Sequence, residues 1–257
     1  PGYGINSFDL STLMLDFTDG FTRQQIAAGP KSWAIKGGNQ RLPEAMAKQL
    51  KDEVRLGQEV VAIDSGADGV TVTCADGSVH RATHAICSLP FSVLRNLRLT
   101  PAPGGSQARA IATLPYQPLS MAFLTAKKPF WDDDGLAPGM WTNSVAGTVL
   151  PQRFGSDPTE ITGLVVQARG QLAINWDRMG HAQALRAIVA QIEAMRPASR
   201  GKLRAHRLFS WGAQYFNGGD WAYFAPGQIA DFVATMATPL GRIHFCGEHT
   251  ATGARGF

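Results

Sequence analysis

The chain has 257 residues, of which 44% are hydrophobic and 17% charged, and its formal net charge is +4. This length and composition allow a large buried core in one or two domains. Lysine and arginine form no block, which argues against a nucleic-acid-binding protein, and no apolar stretch is long enough to predict a membrane span. Three widely spaced cysteines predict neither a disulfide framework nor a tetrahedral thiolate site.

The first third of the chain predicts a helical part followed by a unit of mixed type. Residues 1–32 carry apolar side chains at helical spacing. In residues 33–95, a glycine turn at Gly37-Gly38 precedes a helix predicted over residues 42–56, with Pro43 in its first turn, where a missing N–H costs nothing. Strands and tight turns then predict hairpins over residues 59–65, 69–74 and 78–81, the second turn being Asp76-Gly77.

The middle of the chain predicts an antiparallel sheet. The run from His84 to Leu89 is apolar without alternation, which favours a strand covered on both faces. From residue 96 to 210, short strands alternate with Gly, Pro and Asp clusters. A helix over residues 181–195 interrupts them and carries a buried stripe. After Trp211 a glycine-rich loop, an amphipathic helix and a final strand return the chain to the first unit.

The turn that follows the final strand is the most informative motif. Ile243-His244-Phe245-Cys246 runs into Gly247-Glu248-His249-Thr250-Ala251, and Gly256-Phe257 ends the chain. A strand that enters a glycine and a polar turn exposes backbone N–H groups, which suit a phosphate or the polar edge of a cofactor. The sequence therefore predicts a cofactor site at this turn.

A zinc site is the alternative for the same segment. His244, Cys246 and Glu248 alternate along the strand and His249 is adjacent, and all four are of residue types that bind zinc. However, Cys246 to His249 has no established metal-binding spacing, and the sequence offers no second ligand cluster. We therefore predict no metal.

Six segments, taken in order, resemble the flavin amine oxidase family of monoamine, polyamine and L-amino-acid oxidases. They are Gly37-Gly38 with Leu42–Met46, Gln58–Ile63, Ser88-Leu89-Pro90, Lys127–Trp131, Gln214–Trp221 and the C-terminal turn. The resemblance implies an α/β plus α+β fold, in which a partial Rossmann-like FAD-binding domain (33–95 and 211–257) is interrupted by a substrate domain. That domain (1–32 and 96–210) would combine an antiparallel sheet with flanking helices.

The resemblance also implies site residues. Lys127 would be the flavin-facing catalytic lysine, Trp221 and Phe257 would line the substrate slot, and the cofactor would meet Gly37, Gly38, Val60, Trp211, Gly247, Glu248, Gly256 and Phe257. Each has a simpler alternative. Lys127 would be a solvated lysine paired with Asp132 or Asp133, the aromatic residues would fill a core, and Glu248 would be a solvated turn residue. Gly218-Gly219 favours the slot at Trp221, because glycine lets a backbone approach a flat ring closely.

The implied activity is FAD-dependent oxidative deamination of an amine or L-amino acid, with hydride transfer to flavin N5 and reoxidation by O₂ to H₂O₂. Asp220 stands where covalent members of the family carry cysteine, so the FAD would be non-covalent. The family's N-terminal glycine-rich fingerprint and its closing helix have no counterpart in the sequence, and no initiator Met begins it. We therefore expect a second chain or a missing segment to supply the N-terminal FAD-binding part. A non-catalytic binding or structural subunit is the alternative.

Overall fold

A computed structural model describes residues 5–29, 35–50, 54–157 and 159–252. Its helices are α1 (Met14–Ala28), α2 (Arg41–Gln49), α3 (Phe91–Leu94), α4 (Gly105–Thr113), α5 (Phe130–Asp134), α6 (Gln171–Met179), α7 (His181–Met195) and α8 (Gln228–Phe232). Its strands are β1 (Val60–Ser65), β2 (Val70–Cys74), β3 (Val79–Ala82), β4 (Ala85–Cys87), β5 (Arg98–Thr100), β6 (Leu119–Ala126), β7 (Met140–Trp141), β8 (Thr148–Gln152), β9 (Gly163–Arg169), β10 (Leu203–Ser210) and β11 (Ile243–Phe245).

The described residues form two compact units. The split unit takes those within 10–115 and 221–257, and the inserted unit those within 1–9 and 116–220. These limits differ from the predicted domain bounds, notably for α1. Met14 of α1 is 2% exposed, and the Phe17 ring lies 5.4 Å from that of Phe224, edge to face, so α1 packs in the split unit. The assignment of the predicted domains to cofactor and substrate stays a prediction.

The chain enters and leaves the insertion at neighbouring points. In the split unit, the Tyr223 N–H donates to the Pro115 carbonyl at 3.0 Å. In the inserted unit, the Asp220 N–H donates to the Gln117 carbonyl at 2.9 Å. The residues on either side of each boundary are therefore paired within their own unit.

The inserted unit is an antiparallel sheet with helices on one face. Its strand order is β10-β6-β9-β8-β7. Because side chains alternate along a strand, Ala122 and Leu124 of β6 point to the helices, where Trp176 of α6 and Ile188 of α7 complete the core. The helix predicted over residues 181–195 is confirmed as α7, and the predicted antiparallel sheet is confirmed as well.

An ion pair between a buried arginine and a partly buried aspartate fixes the segment after β6. The Arg196 guanidinium donates to both carboxylate oxygens of Asp134, at 2.9 and 2.5 Å, and to the Ala137 carbonyl at 2.6 Å. It also lies 4.8 Å from the ring centroid of Phe130. The bond from Arg196 holds the pKa of the Asp134 carboxyl below its ordinary value.

We expect Arg196→Met to lower the melting temperature by several degrees at neutral pH, because it leaves Asp134 and a carbonyl without their buried partner. A lowered carboxyl pKa stabilises the fold above the unfolded pKa, and that contribution is lost as pH falls through the folded pKa. The difference in melting temperature between wild type and variant should therefore narrow as the pH falls below about 4, while the part due to the Ala137 carbonyl remains. Calorimetry at a series of pH values measures the melting temperatures of both proteins. Arg204→Met, at an exposed position on β10, is the control, and an equal fall in both variants would contradict the assignment.

The split unit holds a four-stranded sheet of order β3-β2-β1-β5 and a two-stranded parallel sheet of β11 and β4. Both predicted hairpins are present. In the β2–β3 turn, Gly77 has φ +85°, and the Ser78 N–H donates to the Asp76 carboxylate at 2.9 Å. The tight turn thus forms where the Asp-Gly pair predicts it.

Two expectations for the split unit are wrong in the described residues. β4 was predicted to be covered on both faces, but Ile86 is 78% exposed, because β11 covers only an edge of β4 and no described residue covers this face. The helix predicted over residues 42–56 ends at Gln49. Three apolar side chains at four-residue spacing, two in α2 and one directly after it, face solvent, with exposures of 56%, 61% and 53%: Leu42, Met46 and Leu50.

The architecture is therefore a mixed α/β fold that contains an antiparallel sheet with flanking helices, as predicted. None of the helices in the described ranges combines the length and the apolar character that crossing a membrane requires.

Candidate cofactor and substrate sites

The predicted cofactor turn follows β11 directly. Parallel pairing continues past the strand, because the Cys246 N–H donates to the Cys87 carbonyl at 3.0 Å. Gly247 then adopts φ +117°, and residues Glu248–Thr250 form a 3₁₀ turn. A Cβ on Gly247 would lie 2.9 Å from Cε1 of His249, a ring that is 2% exposed. Both the backbone angle and the close approach therefore require glycine here.

Glu248 is fastened to the backbone beside another predicted site residue. One of its carboxylate oxygens accepts the Ala222 N–H at 2.6 Å. Ala222 follows Trp221, so the turn after β11 and the start of the returning segment meet in the split unit. The buried His249 ring packs against that of Phe91, with the ring centroids 4.4 Å apart, and this contact holds the turn against the core. Glu248 is thus half-buried and bonded to backbone, so the simple solvated-turn alternative does not describe it.

The glycine pair that precedes α2 forms a turn of its own. Gly37 and Gly38 have φ +87° and +97°, and the Gly38 N–H donates to the Ile35 carbonyl at 2.8 Å. A Cβ on Gly37 would meet the Arg41 guanidinium at 2.7 Å, so a cation lies against this turn. Val60, the first residue of β1, is half-buried and pairs with Cys74.

The second glycine pair has a partner within the inserted unit. Gly219 has φ +155°, and a Cβ there would lie 2.4 Å from Cβ of Tyr116. The close approach that the sequence predicts at Gly218-Gly219 is therefore made to Tyr116. It places no constraint by itself on a cofactor ring. Trp221, two residues later, is half-buried.

Lys127 and Trp211 lie at opposite ends of the β6–β10 pair. Lys127 follows β6, is exposed, and donates from Nζ to the Gly201 carbonyl at 3.2 Å. Trp211 follows β10, and its N–H donates to the Leu119 carbonyl at 2.9 Å, at the start of β6. Eight residues of strand separate the two ends, roughly 25 Å. The alternative partner Asp133 is bonded to Lys202 instead.

The structure adds four residues that the sequence analysis missed, beside the predicted Trp211. On the sheet face opposite the helices, five side chains line a cavity of about 220 Å³: Met121, Phe123, Arg207, Phe209 and Trp211. The rings of Phe209 and Trp211 stand 4.9 Å apart, edge to face. The missed signal was the alternation of large apolar residues along β6 and β10, which marks a second sheet face rich in rings.

The alternative zinc site is not assembled. No cluster of three or more possible metal-ligating side chains occurs within the described residues. Nδ1 of His84 lies 3.0 Å from Nε2 of His244, and Glu248 bonds to backbone. The predicted residues Gly256 and Phe257 lie outside the described ranges.

Residues 4–257 match the model of a protein family described as flavin-containing amine oxidoreductase. The chain belongs to this family. An L-amino-acid oxidase of Demansia vestigiata is 26% identical over 225 residues, which are 84% of this chain and 44% of that protein. The flavin-dependent L-tryptophan oxidase RebO of Lentzea aerocolonigenes is 28% identical over 236 residues, which are 87% of this chain and 49% of that protein.

Solved amine oxidases share the fold of this family member. Cyclohexylamine oxidase from Brevibacterium oxydans IH-35A superposes with a TM-score of 0.74 at 22% identity, covering 86% of this chain and 49% of that one. Putrescine oxidase bound to putrescine superposes with a TM-score of 0.71 at 22% identity, and the match covers 84% of this chain and 48% of that one. The chain spans about half the length of the relatives it matches.

FAD is the cofactor of this flavin-containing family, as predicted. The described turn fits a nucleotide in two respects. Gly247 is exposed and has no side chain that would cover the backbone of the turn. Glu248 places a half-buried acceptor at the same turn, with one oxygen fixed by the Ala222 N–H. A polar cofactor edge requires this combination of open backbone and acceptor.

Proposed function

We propose that the complete protein is an FAD-dependent oxidase that oxidatively deaminates an amine or an L-amino acid. The observation that carries the proposal is the turn after β11. There Gly247 is exposed at a turn that requires glycine, and Glu248 is anchored to the backbone next to Trp221. Family membership supports the redox class, and the amine and L-amino-acid oxidases among the relatives support the substrate class.

The residues divide by role in this proposal. Gly247 and Glu248 hold the polar part of the cofactor, together with Gly256. Gly37, Gly38 and Val60 contact its nucleotide part, and Arg41 beside the glycine turn adds a positive charge for a phosphate. Phe257 lies beside the flavin ring, and Trp221 and Phe257 face the substrate. Because roughly 25 Å of strand separates Trp211 from Lys127, only one of these two lies at the ring, and the Lys127 variant described below decides which.

The chain supplies orientation and a dry environment. The hydride acceptor for the carbon that bears nitrogen would be supplied by FAD held at Gly247 and Glu248, and O₂ would be the final oxidant, released as H₂O₂. The flat apolar wall of Trp221 excludes water and favours the neutral amine over the ammonium. It also restricts the amine to orientations in which its C–H bond is aligned.

We also propose that the FAD is non-covalent, since Asp220 cannot form a thioether, and that a further chain or segment carries the N-terminal FAD-binding part. The half-length match to the relatives supports this. So does the exposed apolar surface of the split unit. Leu42, Met46, Leu50 and Ile86 are exposed apolar side chains that such a part would cover.

The test uses the protein joined with its N-terminal part. The proposal predicts flavin absorption, H₂O₂ release with an amine or L-amino acid, and complete release of flavin into the supernatant after acid precipitation. Flavin in the pellet would overturn the non-covalent assignment. A colourless, inert preparation after addition of FAD would instead favour the non-catalytic binding subunit.

Lys127→Met tests the proposed catalytic lysine. Removal of an ammonium that lies at the flavin should slow flavin reduction or reoxidation about 10- to 1000-fold. The bond to the Gly201 carbonyl, by itself, predicts no kinetic change. Stopped-flow absorbance of both half-reactions decides between them, and Lys128→Met is the matched exposed control. Unchanged traces would remove Lys127 from the site.

A further inference from the structure

Two histidines meet on the open face of the parallel pair of β4 and β11. In this pair His244 lies opposite Ile86, so the two side chains point to the same side. Because side chains alternate along a strand, His84, two residues before Ile86, points to that side as well. The other side is in the core, where Cys87 and Phe245 are buried. His84 is exposed and His244 half-buried, so solvent reaches both imidazoles.

The two rings are joined through one nitrogen of each. Nδ1 of His84 lies 3.0 Å from Nε2 of His244, and the ring centroids are 5.2 Å apart. The Arg242 guanidinium lies 3.4 Å from Nε2 of His84, and since a guanidinium only donates, that nitrogen accepts. The hydrogen-bond network therefore assigns the proton to Nδ1 of His84, which donates it to Nε2 of His244.

Arg242 does not depend on the imidazole for its position. Its guanidinium also donates to the carbonyls of Ala67 and Thr83, at 2.8 and 3.4 Å. These backbone contacts hold the guanidinium in place when the His84 ring turns.

The separation of the two nitrogens fits one class of metal ion. A first-row divalent metal lies about 2.0–2.1 Å from an imidazole nitrogen. Two such nitrogens are about 2.9 Å apart when they bind at right angles, and about 3.4 Å apart in a tetrahedral site. The observed 3.0 Å matches the right angle, which is typical of Cu²⁺ and Ni²⁺ and not of structural zinc. Because neither ring is enclosed by the core, each can tilt until its lone pair points to a shared ion.

We propose that His84 and His244 form a two-imidazole site for Ni²⁺ or Cu²⁺. The metal takes the place of the proton between the rings: Nδ1 of His84 releases its proton to solvent and Nε2 takes one up, so both imidazoles stay neutral. No third ligating side chain joins the pair within the described ranges, so water fills the other positions. The bound ion clamps β4 to β11.

This site differs from the alternative zinc site in its ligands, since His244 is joined to His84 across the strands and not to Cys246, Glu248 and His249 along the chain. The site does not depend on the proposed oxidase function.

The first test measures binding of the metal alone to the untagged full chain. Ni²⁺ is the probe, because it does not oxidise the half-buried Cys246 thiol on the same face. Isothermal titration should show one ion per chain. His84→Gln and His244→Gln should each weaken binding about 100-fold, since either variant keeps one imidazole and loses the chelate. Zn²⁺ should bind more weakly than Ni²⁺.

His181→Gln is the matched control, because it removes an exposed histidine at the start of α7 in the inserted unit. An unchanged Ni²⁺ affinity in His84→Gln would overturn the inference, and so would an equal loss in His181→Gln. Zinc binding as tight as that of nickel would overturn the right-angle geometry. His84 is exposed, so this variant decides the matter even if His244→Gln does not fold.

The second test measures the clamp. An ion that binds only the folded strand pair stabilises it, so saturating Ni²⁺ should raise the melting temperature of the wild-type chain by several degrees. The shift should disappear in His84→Gln, persist in His181→Gln and be reversed by a chelator. A wild-type chain without the shift, or a shift of equal size in His84→Gln, would overturn the clamp.

Discussion

Gly247→Ala is expected to weaken FAD binding by the complete protein at least about tenfold. The new Cβ would lie 2.9 Å from the His249 ring, and alanine is strained at φ +117°. Such strain costs about 1–3 kcal/mol, so the turn would shift away from the conformation that holds the cofactor. Fluorescence titration with FAD, combined with the melting temperature of the apoprotein, measures both effects.

Gly77→Ala is the matched control for this prediction. Gly77 also has a positive φ, +85°, but a Cβ there would meet no atom within 4 Å. It therefore carries the same kind of backbone strain without the collision, at a hairpin turn outside the proposed site. Wild-type FAD affinity in Gly247→Ala would mean that the turn after β11 does not hold the cofactor.

Trp221→Ala is expected to lower kcat/KM about 100-fold with little loss of stability. Trp221 is half-buried, so removing it opens the proposed substrate wall without emptying a core. A substrate displaced by about an ångström loses roughly this much rate. Steady-state kinetics and calorimetry on the same preparation measure the two quantities.

Trp176→Ala provides the opposite case. Trp176 is fully buried, and its indole N–H donates to the Val145 carbonyl at 3.1 Å. Its loss should cost about 3–5 kcal/mol of stability, as a core tryptophan does. If Trp221→Ala instead resembles Trp176→Ala, with the remaining folded enzyme turning over normally, Trp221 belongs to the packing.

Local patterns predicted the elements that local chemistry controls. The stripe of apolar residues at helical spacing defined α7 to the residue, and Asp76-Gly77 defined the β2–β3 hairpin. Helix length was less predictable. Leu42, Met46 and Leu50 keep the helical period, yet α2 ends at Gln49, because the period alone does not report where packing support ends.

Which residues neighbouring strands bring together was harder to predict than where the helices and strands lie. Lys127 and Trp211 were assigned to one cofactor site, but antiparallel pairing of β6 with β10 sends them to opposite ends of the ladder. The same pairing assembled the cavity around Arg207, whose members are far apart in sequence. Register is set by the whole sheet, so a motif that is read along the chain cannot supply it.

The hydrogen bonds at its two boundaries suit the insertion to exchange as one segment. Pro115 and Tyr223 are bonded to each other in the split unit, and Gln117 and Asp220 in the inserted unit. A homologous segment in place of residues 116–220 should therefore leave the hydrogen bonds of β11 and of the turn at Gly247 intact. A chimaera built in this way is expected to keep the melting transition of the split unit, and calorimetry tests this.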